Sequence, residues 1–146
     1  MSLSVDAEAL RRAELAQEAP IRPRGVFLRD GDRYLLCGTI GAAFDAWQRR
    51  LAATSAADAY FAQQLGLEAV ERVMDGLEAE IRAALPRDET LLPRRSPGYG
   101  DWPLSLSREI LARLDAARRI GVSITDSDLL VPAKSVTAVC GIRPRR

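Results

Sequence analysis

Residues 55–85 read SAADAYFAQQLGLEAVERVMDGLEAEIRAAL, and this run decides the fold. Its apolar positions are Ala57, Tyr60, Phe61, Leu67, Val70, Val73, Met74, Leu77, Ile81 and Leu85, with Gln64 as the one break. They recur in steps of three and four, the period of a helix with one buried stripe. Gly66 lies inside the stripe. Glycine costs a mid-helix position ~1 kcal/mol against alanine, so either another backbone approaches closely there or the helix bends. Pro86 stops the helix.

Upstream, Val5 to Glu18 is rich in Ala, Leu, Glu and Arg and predicts a first helix, ended by Pro20 and Pro23. Gly25 to Arg29 and Arg33 to Cys37 are apolar β-formers flanking Asp30-Gly31-Asp32, a hairpin signal. Gly38-Thr39-Ile40-Gly41 is a small-residue hinge into a second helix, Ala42 to Leu51. Downstream, Pro86 to Pro103 carries prolines at 86, 93, 97 and 103 with Gly98 and Gly100, a spacing that fits no helix or long strand. A loop of that length inside a domain is usually functional or disordered, and Tyr99 and Trp102 argue against disorder.

Ser105 or Ser107 can cap a helix running to about Arg119, with Ile110, Leu111 and Leu114 facing inward. Gly121 breaks it, and Val122–Thr125, Asp128–Val131 and Ser135–Ile142 follow as three strands. Helices and strands are segregated. The expected class is α+β, a long helix and shorter helices packed on a bent antiparallel sheet, in one domain over 1–146.

Composition narrows the chemistry. Hydrophobic residues make up 47% of the 146 and charged residues 28%, enough for a core and a soluble surface. The net charge of +1 offers no broad basic field for nucleic acid. No apolar run approaches the roughly 20 residues that span a bilayer. Met1 to Leu10 is polar and acidic, unlike a signal peptide, so the expected location is cytoplasmic. Cys37 and Cys140 lie in apolar, strand-like runs and read as buried hydrophobes; a disulfide between them is not favoured, because nothing else marks the chain as secreted. There is no histidine, so no imidazole-based nucleophile system and no imidazole metal ligand can come from this chain; no metal site is expected.

The distinctive stretch is Arg94-Arg95-Ser96-Pro97-Gly98-Tyr99-Gly100-Asp101-Trp102-Pro103. Pro97-Gly98 is a type II turn pair that calls for positive φ at Gly98. The glycines leave backbone bare for a planar ligand. Arg94 can hold a carboxylate through two parallel hydrogen bonds. Tyr99 and Trp102 offer faces to a ring or a cation. Together these suit a ligand with a carboxylate, a ring and a positive charge. Taken singly, each also has a structural reading: a solvated arginine, a plain turn, a tryptophan covering the core edge.

Arg94-x-x-Pro97-Gly98-Tyr99 resembles the Arg-x-x-Pro-Gly-Tyr motif of the activation domain of cobalamin-dependent methionine synthase. Pro103, Arg113-Leu114-Asp115, Ile120 to Ser127 and Pro132-Ala133-Lys134-Ser135-Val136 are similar to the segments that follow in that family, over about fifty residues. Ser96 to Pro103 is most similar to short, free-standing relatives of the domain. The resemblance implies S-adenosylmethionine as the bound cofactor, with Arg94, Pro97, Gly98 and Tyr99 as binding residues and no catalytic residue in the acid–base sense. It implies a cobalamin held by a partner, a cobalamin-bearing methyltransferase subunit. Methyl transfer from a sulfonium is an in-line displacement that moves no proton, and proximity can supply ~7–11 kcal/mol of such a barrier.

Two family contacts have no counterpart here: an acidic residue near the start of the domain, and a tyrosine pair after the last strand motif, since the sequence stops four residues past Ile142. The expected function is therefore an S-adenosylmethionine-binding accessory protein for reductive reactivation of cobalamin. The alternative is a non-catalytic interaction module on a corrinoid protein.

Overall fold

A hairpin turned at Gly31 and Asp32 joins β1 (Arg24–Asp30) to β2 (Arg33–Thr39), and β2 is the spine of the molecule. The computed structural model describes residues 3–145; the Met1-Ser2 end of the N-terminal stretch and Arg146 lie outside the described residues. In chain order, α1 (Leu3–Glu18) precedes the hairpin. It is followed by α2 (Ala42–Thr54), α3 (Ala56–Ala84), β3 (Glu89–Leu91), α4 (Leu106–Leu114), α5 (Ala116–Ile120), β4 (Ser123–Ile124), β5 (Leu130–Val131) and β6 (Ser135–Pro144). The four-stranded sheet is antiparallel, ordered β1-β2-β6-β3, and curled; β4 and β5 pair separately. The α+β class expected from the sequence is the observed one.

Both faces of the sheet are covered, which explains why β2 is buried along nearly its whole length. The two-residue alternation of a strand sorts side chains to opposite faces. Tyr34, Leu36, Ala138, Cys140 and Ile142 pack against Met74, Leu77 and Ile81 of α3. Leu35, Cys37 and Val139 pack against Ile110, Leu111 and Leu114 of α4, with Ala116, Ile120 and Val122 behind them. The two cysteines therefore lie on opposite faces, both free and fully buried, and cannot be bridged. Burial pushes both thiols up to about 12. Among the described residues no helix is long and apolar enough to cross a membrane.

The long helix forms as expected, with Ser55 as its N-cap accepting a hydrogen bond from the Asp58 N–H at 3.1 Å. Its stripe is not continuous. In the second half Met74, Leu77 and Ile81 face the sheet. In the first half Tyr60 and Leu67 point outward, 59% and 48% exposed. Ala62, Gly66, Ala69 and Val70 are buried instead, against Leu15 of α1 and Phe44 and Trp47 of α2. Here helices rather than the sheet cover α3, and small residues let them come close. The close approach at Gly66 is an aromatic ring, not a backbone: a Cβ there would lie 2.7 Å from Phe44 Cε1.

Two further expectations are corrected. The helix after Ser105 does not run unbroken to Arg119, because Asp115 adopts the left-handed conformation (φ 53°) between α4 and α5. Asp is one of the few residues that tolerates that region. Ser105 stands at the N-cap position but its side chain makes no capping hydrogen bond, and Ser107 lies inside the helix. Ser107 is buried and shares a 2.9 Å hydrogen bond with Thr137 of β6, which ties α4 to the sheet.

Candidate functional site

The proline-rich segment is an ordered wall rather than a free loop. It runs antiparallel to β6: Leu91 faces Ile142, Leu92 N–H donates to the Gly141 carbonyl at 2.8 Å, and Arg95 exchanges two backbone bonds with Val139 at 2.9 and 2.8 Å. Leu91 to Arg95 spans one residue more than Ile142 to Val139, so the segment bulges at Pro93-Arg94. A bulge shifts which residues face which side of the strand, and Arg94 and Arg95, as adjacent extended residues, point in different directions.

Arg94 goes to α3. Its Nη1 donates to Asp75 Oδ1 at 2.8 Å and to Glu78 Oε2 at 3.1 Å, and its Nη2 donates to Glu71. Its backbone N–H donates to Glu78 Oε1 at 3.2 Å. Residues 71, 75 and 78 are spaced i, i+4, i+7, so the three carboxylates share one helix face. Glu78 is nearly buried and also accepts from the Cys140 thiol at 3.6 Å. Partial burial works against the Arg94 charge, but the carboxylates of Asp75, Glu71 and Glu78 outweigh it and hold the pKa above its usual value. Arg95 turns the other way, its Cζ 4.1 Å above the Trp102 ring, and donates to Asp101 Oδ1 at 2.8 Å.

Gly98 has φ 93°, as the Pro97-Gly98 turn requires. Its N–H donates to the Trp102 carbonyl at 2.9 Å, and Trp102 N–H returns to the Tyr99 carbonyl at 3.2 Å. Pro97 is buried, while Tyr99 stands 73% exposed.

This segment bounds an open cleft of about 530 Å³. Arg94, Arg95, Ser96, Pro97 and Tyr99 line one side, with Glu71 of α3 beside them. Leu104 and Ser107 also line it, as do Ser135, Val136 and Thr137 of β6. Opposite stand Asp128, Leu129 and Leu130, then Ala133. The turn bearing Asp128 (φ 66°) is fixed by Leu129 N–H to Thr125 Oγ1 at 3.1 Å and by Arg108 Nη2, which donates to Asp128 Oδ1 at 2.9 Å. Ala133 N–H donates to Asp45 Oδ2 at 2.8 Å, and Lys134, buried beneath, donates to Gln48 Oε1 at 3.2 Å. Burial lowers the Lys134 pKa, against the pull of Asp45.

Of the residues singled out in the sequence, Arg94, Pro97 and Tyr99 line the cleft; Gly98 shapes the turn behind it, where a Cβ would come 3.1 Å from Leu104 Cδ1. Arg94 does not present a free guanidinium, because α3 already supplies three carboxylates. Glu71, Arg95, Ser107, Asp128 and Thr137 are cleft residues that the sequence reading did not select. The acidic i, i+4, i+7 row was visible in the sequence; that it faces the motif arginine was not. Among the described residues no cluster of histidine, cysteine and acidic side chains could hold a metal ion.

No family model matches the sequence, and no curated protein matches it closely enough to count as a relative. Among solved structures, the chain is similar to the crystal structure of the MetH reactivation domain bound to AdoHcy, with a TM-score of 0.67 and 16% identity over 96% of this chain and 67% of that one. At that identity the likeness is one of fold: this chain shares the fold of the MetH reactivation domain.

Proposed function

We propose that the cleft binds S-adenosylmethionine, and that the protein is an accessory partner of a cobalamin-bearing methyltransferase subunit, a methionine synthase or corrinoid methyltransferase, in reductive reactivation. The observation that carries this reading is a convergence: the Arg94–Tyr99 motif forms a wall of an open cleft in a fold shared with a domain crystallised with AdoHcy. AdoHcy, S-adenosylhomocysteine, is what remains when the sulfonium loses its methyl group.

The electrostatics of the wall support the choice of ligand. Glu71, Asp75 and Glu78 outnumber the one guanidinium they surround, and Glu71 is 56% exposed on the cleft side. S-adenosylmethionine carries one net positive charge near neutral pH and AdoHcy none, so this wall favours the methyl donor over its product. The ligand's own carboxylate must compete with the three protein carboxylates for Arg94. Arg95, half exposed and held only by Asp101 and the Trp102 face, can take a carboxylate without breaking that network. Arg94 then orders the wall, Pro97 and Gly98 shape its backbone, and Tyr99 offers an exposed ring.

Tyr99, Leu104 and Leu129 form an exposed apolar rim at 73%, 41% and 60%, a surface on which a partner can close and exclude water. The cobalamin would be the methyl acceptor, and this chain's part is to bind and orient the donor.

The occupied state of Arg94 favours a second reading, in which the chain is a non-catalytic interaction module. Calorimetric titration with S-adenosylmethionine and with AdoHcy separates the two, on wild type and Arg94→Ala, each with and without a cobalamin protein. The expected result is tighter binding of S-adenosylmethionine than of AdoHcy, strengthened by the partner. Arg94→Ala should weaken binding about ten- to a hundredfold through disorder of the wall. Equal affinity of the two variants removes Arg94 from the site, and no binding under any condition leaves the interaction module.

A further inference from the structure

The far end of β6 differs in charge from the cleft. Arg143 lies near the end of β6, paired with Thr90 of β3, and Arg145 follows one residue past the strand's last residue, Pro144. Arg145 is held in place by its backbone N–H, which donates to the Asp88 carbonyl at 2.6 Å. Two adjoining grooves, of about 540 and 360 Å³, share Thr90 and Arg145; Arg82 and Arg87 line the second, and Leu85, Pro86, Leu91 and Pro144 add apolar surface.

Arg87, Arg143 and Arg145 form no ion pair among the described residues, and Arg82 reaches Glu78 only at 3.8 Å. Arg12, Arg22, Arg24, Arg49, Arg50 and Arg119 also form none there; what sets this corner apart is that three such arginines, with Arg82, line two adjoining grooves. Of the two nearby acids, Asp88 is exposed to water, and Glu89 is already matched, both of its oxygens accepting from Arg29 at 2.9 and 2.8 Å, with its pKa lowered by that partner. A second, independent feature adjoins these arginines. β3 is the last strand of the sheet, so one of its sides lacks a neighbouring strand.

We propose that this corner is a docking surface for an acidic, extended segment of a partner protein. Such a segment would lie along β3, its carboxylates pairing with Arg87, Arg143 and Arg145 and its apolar residues resting on Leu85 and Pro86. The arginines and prolines that line the grooves are exposed, which suits a chain laid across them better than a small molecule enclosed within them. The inference does not depend on what the cleft binds.

The test uses the described chain and a blocked heptapeptide alternating glutamate with valine. Binding is followed by calorimetry and by backbone amide shifts at about 20 and 150 mM salt, because screening weakens exposed charge contacts. The expected result is salt-sensitive binding with shifts centred on Thr90, Leu91, Arg143 and Arg145. The Arg143→Glu/Arg145→Glu double variant should lose about tenfold or more in affinity. Arg49→Glu/Arg50→Glu, on exposed α2 positions, should bind as wild type does. Amide spectra report whether each variant is folded. The proposal is overturned if the peptide shifts no amide at this corner, or if both double variants lose affinity equally, which would mean attraction to net charge alone. It is also overturned if inorganic pyrophosphate displaces the peptide and binds more tightly, which would make this a small-anion site.

Discussion

Arg94 places its guanidinium at 18% exposure among three carboxylates of α3, whereas Arg95, one residue along, lays its own at 49% exposure on the Trp102 ring beside Asp101, itself 92% exposed. Both are arginines with ion pairs near 3 Å. They differ in what water can do for their partners. Glu78 is nearly buried and has no hydration shell to fall back on, so loss of Arg94 leaves a stranded charge. Asp101 is hydrated with or without Arg95, and exposed pairs of this kind contribute ~0–1 kcal/mol. The same residue type thus fastens the wall to α3 on one side and stays available on the other.

Glu78→Ala should break the comparison hardest. It removes the acceptor shared by the Arg94 backbone, the Arg94 guanidinium and the Cys140 thiol, and should destabilise the protein by about 3 kcal/mol in urea denaturation. In the same variant Cys140 should become reactive to a thiol alkylating agent while Cys37, on the other face of the sheet, stays protected. Equal protection of both would show that the Arg94 side does not depend on Glu78.

Arg94→Ala should cost about 2 kcal/mol by the same measurement, less than Glu78→Ala because Glu71 and Asp75 can rehydrate and the stranded Glu78 keeps Arg82 at 3.8 Å. A loss no larger than that of Arg95→Ala would erase the distinction between the two arginines. Arg95→Ala itself should cost ~0.5–1 kcal/mol, the worth of an exposed cation–π stack, with a fluorescence change at Trp102. Asp101→Ala is the smallest change, within ~0.5 kcal/mol. Its effect should vanish in about 1 M salt, where the Debye length is ~3 Å, while the cost of Arg94→Ala persists.

Acid titration sharpens the contrast from outside the cleft. Arg11 holds Asp58 below its ordinary pKa, and Arg29 does the same to Glu89. A depressed carboxylate contributes stability that is complete above its unfolded pKa, near 4, and is lost as pH falls through the folded value. The urea midpoint should therefore be flat above about pH 5 and decline below pH 4, and Asp58→Asn should flatten that decline.

Several elements were legible because a short-range rule controls them. The helix over α3, the hairpin at Gly31 and the strand over β6 follow from periods of 3.6 and 2 with their punctuation. Gly98 was legible for a local reason as well, since a Pro-Gly pair specifies its turn wherever it stands. β3 was not legible: Glu89-Thr90-Leu91 lies among prolines, and it is a strand only because β6 offers it a ladder. Ser107 looked like a cap and is a core residue, since Thr137 sits opposite it across the α4–sheet interface.

Residue order alone determined the α+β class, the length of the central helix and the turn at Gly98, because hydrophobic period, proline and glycine act on their near neighbours. The tertiary structure decided which face of α3 is covered by Phe44 and which is left to Tyr60 and Leu67. It also decided that Arg94 meets Glu71, Asp75 and Glu78 while Arg95 meets Trp102. Those outcomes turn on the register of the segment against a strand some forty residues downstream, and on which carboxylates of α3 that register brings Arg94 to meet. Such facts belong to the packed chain, where desolvation sets the value of a charge, and no local spacing encodes them.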